Sequence, residues 1–467
     1  MQLFLPKKYS LGMSQQKLIQ KYTKTGPRYT SYPTVPNWNS NAFNDLVWES
    51  KLADLSDIQL QNEGISIYIH LPYCESLCTF CACHKRITKN HGVEESYINA
   101  LLSEWQMYLR TFEKKPTINE IHLGGGTPSF FSAENLEMLI NGILKEVNVS
   151  ENKVFSFEGH PNNTTELHLQ TLFNLGFRRV SFGVQDFNNV VQNAIHRLQS
   201  FETVKNITQI SRNIGYTSIS LDLVFGLPFQ TEDTIKDTIL MTLKLRPDRI
   251  AFYSYAHVPW IKGNGQRGFS DEDLPKPNEK RQLYEMGLKL FEKEGYSEIG
   301  MDHFALPSDE LFLALQNGTL HRNFMGYTTK PSKILIGLGA SAISEIYGAF
   351  SQNQKDISLY KQLILGSQFP VEKGHVLSIQ DIFIKSQIRN LMCDFETKWS
   401  LEEMNLVNFN FIFQALEGFK NDGLLSFTNN SVKISEIGKP FVRNISMVFD
   451  QYLDSELNTE RIFSQTI

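Results

Sequence analysis

The sequence contains no apolar run approaching the ~18 residues of a membrane-spanning helix, no low-complexity tract, and no internal repeat at a period of roughly 20 to 50 residues. These absences argue against a membrane-embedded chain and a solenoid. The opening MQLFLPKKYSLG places its lysines after a very short apolar run, the reverse of a secretory signal, so a cytoplasmic location is expected. Neither sign of charge dominates: 45 Lys and Arg against 50 Asp and Glu leave a formal net charge of -5. No surface-wide nucleic-acid or anionic-membrane footprint is therefore expected. Cysteine is scarce, five in 467 residues.

Apolar content of 41% and charged content of 20% indicate a globular chain, and the length exceeds what one core ordinarily serves. Cys74, Cys78, Cys81 and Cys83 are spaced C-x3-C-x2-C-x-C, within ten positions. In a reducing compartment such a cluster points to a metal or redox site rather than to disulfides. The fifth, Cys393, stands alone in an apolar helical pattern and is expected to be a small core residue.

A strand and helix alternation begins near residue 66. Candidate strands are 66–70, 120–123, 154–158, 179–184, 218–224 and 249–257, and six successive βα units imply a parallel sheet. Tyr97, Leu101, Trp105, Tyr108 and Phe112 share one helical face, while Ser132 and Thr231 are candidate helix N-caps. Ligands of such sheets gather at the C-terminal strand ends, where the cysteine loop also falls. The fold class expected is α/β, with an N-terminal arm over 1–60, a partial (β/α)6 barrel with extension over 61–365, and a mostly helical C-terminal domain over 366–467. Ser378 to Asp381 matches a capping box, and the pair of strands around Thr428-Asn429-Asn430-Ser431 gives that last domain a winged-helix look.

A structural zinc site would need a second Cys or His pair, and no other paired cysteines exist; Cys83-His84 are adjacent and badly placed to complete one. Three thiolates on a [4Fe-4S] cluster instead leave one iron open to an external chelate. Gly124-Gly125-Gly126-Thr127-Pro128 follows a strand and is either a tight turn or a place of close backbone approach to a ligand. Glu158, Gln185 and Asp222 fall at putative strand ends on one rim, which favours ligand binding over isolated surface pairs. Gly263 to Gly268 spells G-x-G-x-x-G without a preceding strand or following helix. Gly337 to Ala342 spells the G-x-G-x-x-A variant after 333–336, and is expected as a loop closing on the barrel mouth rather than a Rossmann turn.

The C-x3-C-x2-C motif after a first barrel strand, with Phe80 before the third cysteine, resembles the radical S-adenosylmethionine superfamily. Adding Cys83, Gly26-Pro27-Arg28-Tyr29-Thr30-Ser31-Tyr32-Pro33, Gly300-Met301-Asp302-His303-Phe304 and His321 to Thr329, the chain resembles the oxygen-independent coproporphyrinogen III oxidase family from about residue 20 to its end. The resemblance implies Cys74, Cys78 and Cys81 as cluster ligands and Cys83 as a non-ligand near the cluster. It places Tyr68, Phe80, Gly125 and Glu158 around S-adenosylmethionine, and Gly126, Thr127, Gln185, Arg197, Asp222, Ala256 and Ile343 around a second molecule of it. Cys83 and Tyr68 are the candidate catalytic residues. One departure stands out: Glu158 is followed by Gly159-His160-Pro161 where the family pattern has Asp-Pro.

The activity so implied is an oxidoreductase of porphyrin and haem biosynthesis, in which two propionates of coproporphyrinogen III become vinyl groups with loss of carbon dioxide. A monomer with an electron donor and an acceptor is expected. The arm over 1–60 is expected to close over the pocket, with Arg28, Lys21 or Lys24 meeting a substrate carboxylate. Two other classes fit less of the sequence. A haem-trafficking relative typically lacks Cys83 and the Gly-Pro-Arg-Tyr arm, and an iron-sulfur sensor with a nucleic-acid module sits badly with the acidic balance.

Overall fold

All six expected strands form: β1 (Ile65–Leu71), β2 (Thr117–Gly125), β3 (Asn148–Gly159), β4 (Phe177–Gln185), β5 (Ser218–Phe225) and β6 (Arg249–Ser254). In this computed structural model they pair in sequence order and in parallel. The structure describes residues 13–39, 42–259, 265–266, 268–330, 332–453, 463 and 466. The sequence of β1, ISIYIHL, shows why the strand is committed to its place. Ile65, Ile67, Ile69 and Leu71 are fully buried, while Ser66, Tyr68 and His70 project from the other face, as a period of two requires. Burial of both faces is the mark of a parallel sheet covered by helices.

The sheet continues past the barrel. Strands β7 (Ser297–Gly300), β8 (His303–Ala305), β9 (Leu335–Leu338), β10 (Ile343–Ile346), β11 (Ala349–Asn353) and β12 (Val371–Val376) complete twelve, in the order β12-β11-β10-β9-β1-β2-β3-β4-β5-β6-β8-β7. The barrel is thus open, with β1 paired to β9 rather than to β6. The G-x-G-x-x-A stretch, expected as a loop over the barrel mouth, is instead strand β9 and its turn into antiparallel β10. Gly339 (φ 101°) turns there because a Cβ would lie 2.7 Å from the His70 carbonyl. Half of the earlier G-x-G-x-x-G stretch, Gly263, Asn264 and Arg267, lies outside the described residues.

Helix Glu94–Thr111 buries Tyr97, Leu101, Trp105 and Tyr108, as its spacing predicts. Ser132 and Thr231 cap their helices by accepting from Asn135 N and Thr234 N. Among the described residues no helix is long and apolar enough to cross a membrane.

The chain divides into two units, one of residues 38–378 and one combining 1–37 with 379–467. The stretch expected as one arm is divided between these units at residue 37, and its first part finds its partners late in the chain. Tyr22 stacks on Phe419 at 4.7 Å, Tyr29 donates to Asp450 at 2.9 Å, and Arg443 donates to the Pro27 carbonyl at 3.0 Å. Lys21, considered above for a substrate carboxylate, is ion-paired to Asp422. In the same unit, helices Ile379–Asp394 and Phe409–Asn421 accompany a three-stranded sheet of Glu396–Lys398, Ser431–Ile434 and Leu425–Thr428. Cys393 is buried within the first of these helices.

Candidate active site

The cysteine loop leaves the C-terminal end of β1 and is tied down at both ends. Residues 73–74 and 86–87 form a short parallel ladder, with Arg86 N donating to Pro72 O at 2.7 Å and Thr88 N to Cys74 O at 2.9 Å. The glycine turn after β2 docks beside it: Gly126 N donates to Leu71 O at 2.9 Å and Thr127 N to Tyr73 O at 3.1 Å. Thr127 Oγ1 then donates to Cys74 Sγ at 3.2 Å. Farther along, Thr79 is held by Ile195 O and Ala194 O, and Lys85 Nζ donates to the carbonyls of Cys81 and Cys83.

Cys74, Cys78, Cys81 and Cys83 all line one open cavity of about 180 Å³. Phe80, Gly125, Gly126 and Thr127 form its wall on the loop and turn side, and Glu158, Gln185, Arg197 and Asp222 its wall on the strand rim. Gln185 ends β4 with φ 67°, a left-handed conformation that re-aims its side chain at the strand terminus. Arg197 Nη2 donates to Gly183 O at 2.6 Å and its Nη1 reaches Cys78 Sγ at 3.7 Å, while its Nε is buried without a partner.

Three expected residues are not on the cavity wall. Tyr68 stands behind Gly124, whose absent Cβ would come within 3.0 Å of its ring, and its hydroxyl meets His70 Nδ1 at 3.1 Å. The Ala256 carbonyl accepts from Gln266 Nε2 at 3.0 Å, and the same nitrogen donates to Phe80 O, so Ala256 braces the cysteine loop from outside. Ile343 lies in β10, where its backbone packs against Gly337. Conversely, His160, Lys85 and Ser181 line the cavity without having been expected there. Ser181 carries a period-two signal, two residues before Gly183 and four before Gln185 on the same face of β4. His122 also supports the rim, touching Ser156 Oγ at 2.8 Å and Glu158 Oε1 at 3.3 Å.

The electrostatics fit a cationic guest. Burial pushes the Cys74 thiol up to about 11, so its thiolate needs a positive centre beside it. The Cys83 thiol donates to Cys81, which lowers the Cys81 thiol and raises that of Cys83. Burial also raises Asp222 to about 6, against the hydrogen bond from Ser181 Oγ at 2.6 Å. Among the described residues no three Cys, His, Asp or Glu side chains are gathered for a single metal ion. A four-iron cube spreads its thiolates, one to each iron, and a loop tied at both ends suits that spacing. The turn makes room as well: a Cβ on Gly126 would lie 2.6 Å from Pro72 O and 3.0 Å from Cys74 Sγ.

A family profile described as the radical SAM superfamily matches residues 68–242. Over 457 residues the chain is 40% identical to the oxygen-independent coproporphyrinogen III oxidase of Helicobacter pylori, covering 96% of this chain and 98% of that one. The chain belongs to the oxygen-independent coproporphyrinogen III oxidase family. Within the family it is 37% identical to the Pseudomonas aeruginosa member, again over 96% of this chain and 98% of the relative. The solved structure of the Escherichia coli coproporphyrinogen III oxidase, described as a radical SAM enzyme, matches with a TM-score of 0.87 at 33% identity. That match covers 94% of this chain and 99% of the solved one. A [4Fe-4S] cluster and S-adenosylmethionine follow from membership of the superfamily.

Proposed function

We propose that this chain converts two propionate side chains of coproporphyrinogen III into vinyl groups, giving protoporphyrinogen IX without molecular oxygen. What carries the proposal is 37–40% identity to family members over nearly the whole chain, joined to one cavity lined by the cysteines of the motif. Cys74, Cys78 and Cys81 would hold the cluster and leave one iron for the amino and carboxylate groups of S-adenosylmethionine. When bound, these groups supply one-electron cleavage of a sulfonium bond and, from it, hydrogen-atom abstraction from a carbon centre.

The protein's own residues bind and orient. Gly125 and Gly126 let backbone approach the ligand closely, and Glu158, steadied by His122, offers a carboxylate to an ammonium or ribose hydroxyl. Phe80 would contribute aromatic surface beside that ligand, and Tyr68, behind Gly124, would support the turn from beneath. A second S-adenosylmethionine would be met by Gly126, Thr127, Gln185, Arg197 and Asp222, with Ala256 and Ile343 at a greater remove. Cys83 would act beside the cluster without ligating it. Each propionate gives up carbon dioxide, one β-hydrogen atom and one further electron, so the reaction needs an electron donor for cleavage and an acceptor at the end. Anaerobic incubation of reconstituted protein with reductant, S-adenosylmethionine and coproporphyrinogen III should yield protoporphyrinogen with stoichiometric 5'-deoxyadenosine. A fully clustered protein that yields neither would sink the proposal.

A further inference from the structure

One polar ring on the cavity wall has no role in the chemistry above. His160 follows β3 directly and lines the cavity together with the four cysteines. Its Nδ1 accepts a hydrogen bond from Asn162 N at 3.1 Å. The same turn is closed by Thr164, whose N and Oγ1 donate to His160 O at 2.9 and 3.0 Å. A ring nitrogen that accepts carries no proton, so the neutral imidazole holds its proton on Nε2. Burial, reinforced by the Arg197 guanidinium, lowers the His160 pKa to about 3, and the ring is neutral in ordinary buffers. The turn therefore fixes the tautomer of a ring kept neutral by its surroundings, leaving Nε2–H as a donor that no described residue accepts.

We propose that His160 donates its Nε2–H to an anionic acceptor of the cofactor assembly in this cavity, either a cluster sulfur or the carboxylate of S-adenosylmethionine. The inference rests on the cavity being the cofactor cavity, and it makes His160 a cofactor-binding residue at the point where this chain departs from the family pattern. Second-layer contacts that fix a histidine's tautomer commonly do so in order to aim the other nitrogen. A purely structural role would need only Nδ1, the nitrogen that holds the turn.

Two substitutions separate these roles. His160→Asn puts an amide oxygen where Nδ1 stands, keeping the turn and losing the distal donor; His160→Gln reaches to the Nε2 position, keeping the donor and losing the cap. Both proteins and wild type are reconstituted anaerobically and compared by iron content, thermal midpoint, equilibrium binding of S-adenosylmethionine and electron paramagnetic resonance of the reduced cluster. If the acceptor is the carboxylate, His160→Asn weakens S-adenosylmethionine binding about ten- to a hundredfold, as for a hydrogen bond to a charged group. If it is a sulfur, the resonance spectrum and reduction potential of His160→Asn shift with no S-adenosylmethionine present. His160→Gln stays near wild type in whichever readout moves. Wild-type behaviour of His160→Asn in both readouts overturns the assignment, as does a folded His160→Gln that is impaired. If His160→Asn does not fold, His160→Gln carries the test alone, since it must still bind. A wild-type protein that takes up no cluster and no S-adenosylmethionine would overturn the cofactor reading itself.

Discussion

Replacing Gly126 by alanine strikes the joint between the cysteine loop and the glycine turn. The added Cβ would sit 2.6 Å from Pro72 O, 2.7 Å from Pro72 C and 3.0 Å from Cys74 Sγ. Two of these atoms are backbone, so no side-chain rotation relieves the clash. The turn must retreat from the loop, and the bonds Gly126 N to Leu71 O and Thr127 N to Tyr73 O stretch with it. Overpacking of this kind costs about 1–3 kcal/mol, and each weakened bond adds about 1 kcal/mol. Charged against cluster uptake, about 3 kcal/mol corresponds to roughly a hundredfold weaker loading. The assay is iron and acid-labile sulfide per chain after anaerobic reconstitution at limiting iron. Gly418→Ala serves as control: it lies in helix Phe409–Asn421 with nothing within 4 Å of its added Cβ, and should be neutral or stabilising by about 0.5–1 kcal/mol. If Gly126→Ala loads iron as fully as the control, the loop and turn are not the rigid joint described here.

Two further predictions concern single side chains. Glu104 is fully buried and accepts from Gly339 N, Asn353 Nδ2 and Tyr360 Oη at 2.8, 2.6 and 2.6 Å, and burial holds its pKa at about 7 against an ordinary 4.5. Because the folded state favours the protonated acid, stability is retained below about pH 4.5 and falls as pH rises through 7. Glu104→Gln should flatten the decline of the thermal midpoint between about pH 5 and 8 in scanning calorimetry, and an unchanged slope would count against that account. Cys83→Ala should keep its iron and its visible absorbance yet lose turnover, whereas loss of the cluster would make Cys83 a ligand.

The local features were legible in the sequence because their partners are close in the chain. The caps at Ser132 and Thr231 lie three residues from the N–H groups they satisfy, and the period of β1 is set within seven residues. The cavity was legible for a related reason: in a parallel sheet, strand ends meet on one rim, so Glu158, Gln185 and Asp222 could be placed together without knowing the sheet's full extent. The far half of the sheet was not legible. Strands β9 to β12 are four to six residues each, and pairing β9 with β1 joins segments about 270 residues apart, a choice no local pattern records. The place of Ile343 in β10 depends on that pairing. Tyr29 likewise meets Asp450 across 421 positions, which composition could only read as a loop. His160 had a signal, its departure from the expected Asp-Pro, but its tautomer emerges only from the folded turn.

The unit that combines residues 1–37 with 379–467 imposes an order on synthesis. Its first piece leaves the ribosome about 340 residues before the helices that bury Tyr22 and Tyr29, an interval of about 20 to 70 s at typical elongation rates. During that time the barrel can fold and begin recruiting iron, while the N-terminal aromatics remain without their partners. A nascent chain stalled near residue 378 should therefore protect the barrel against proteolysis and leave residues 13–37 open to cleavage.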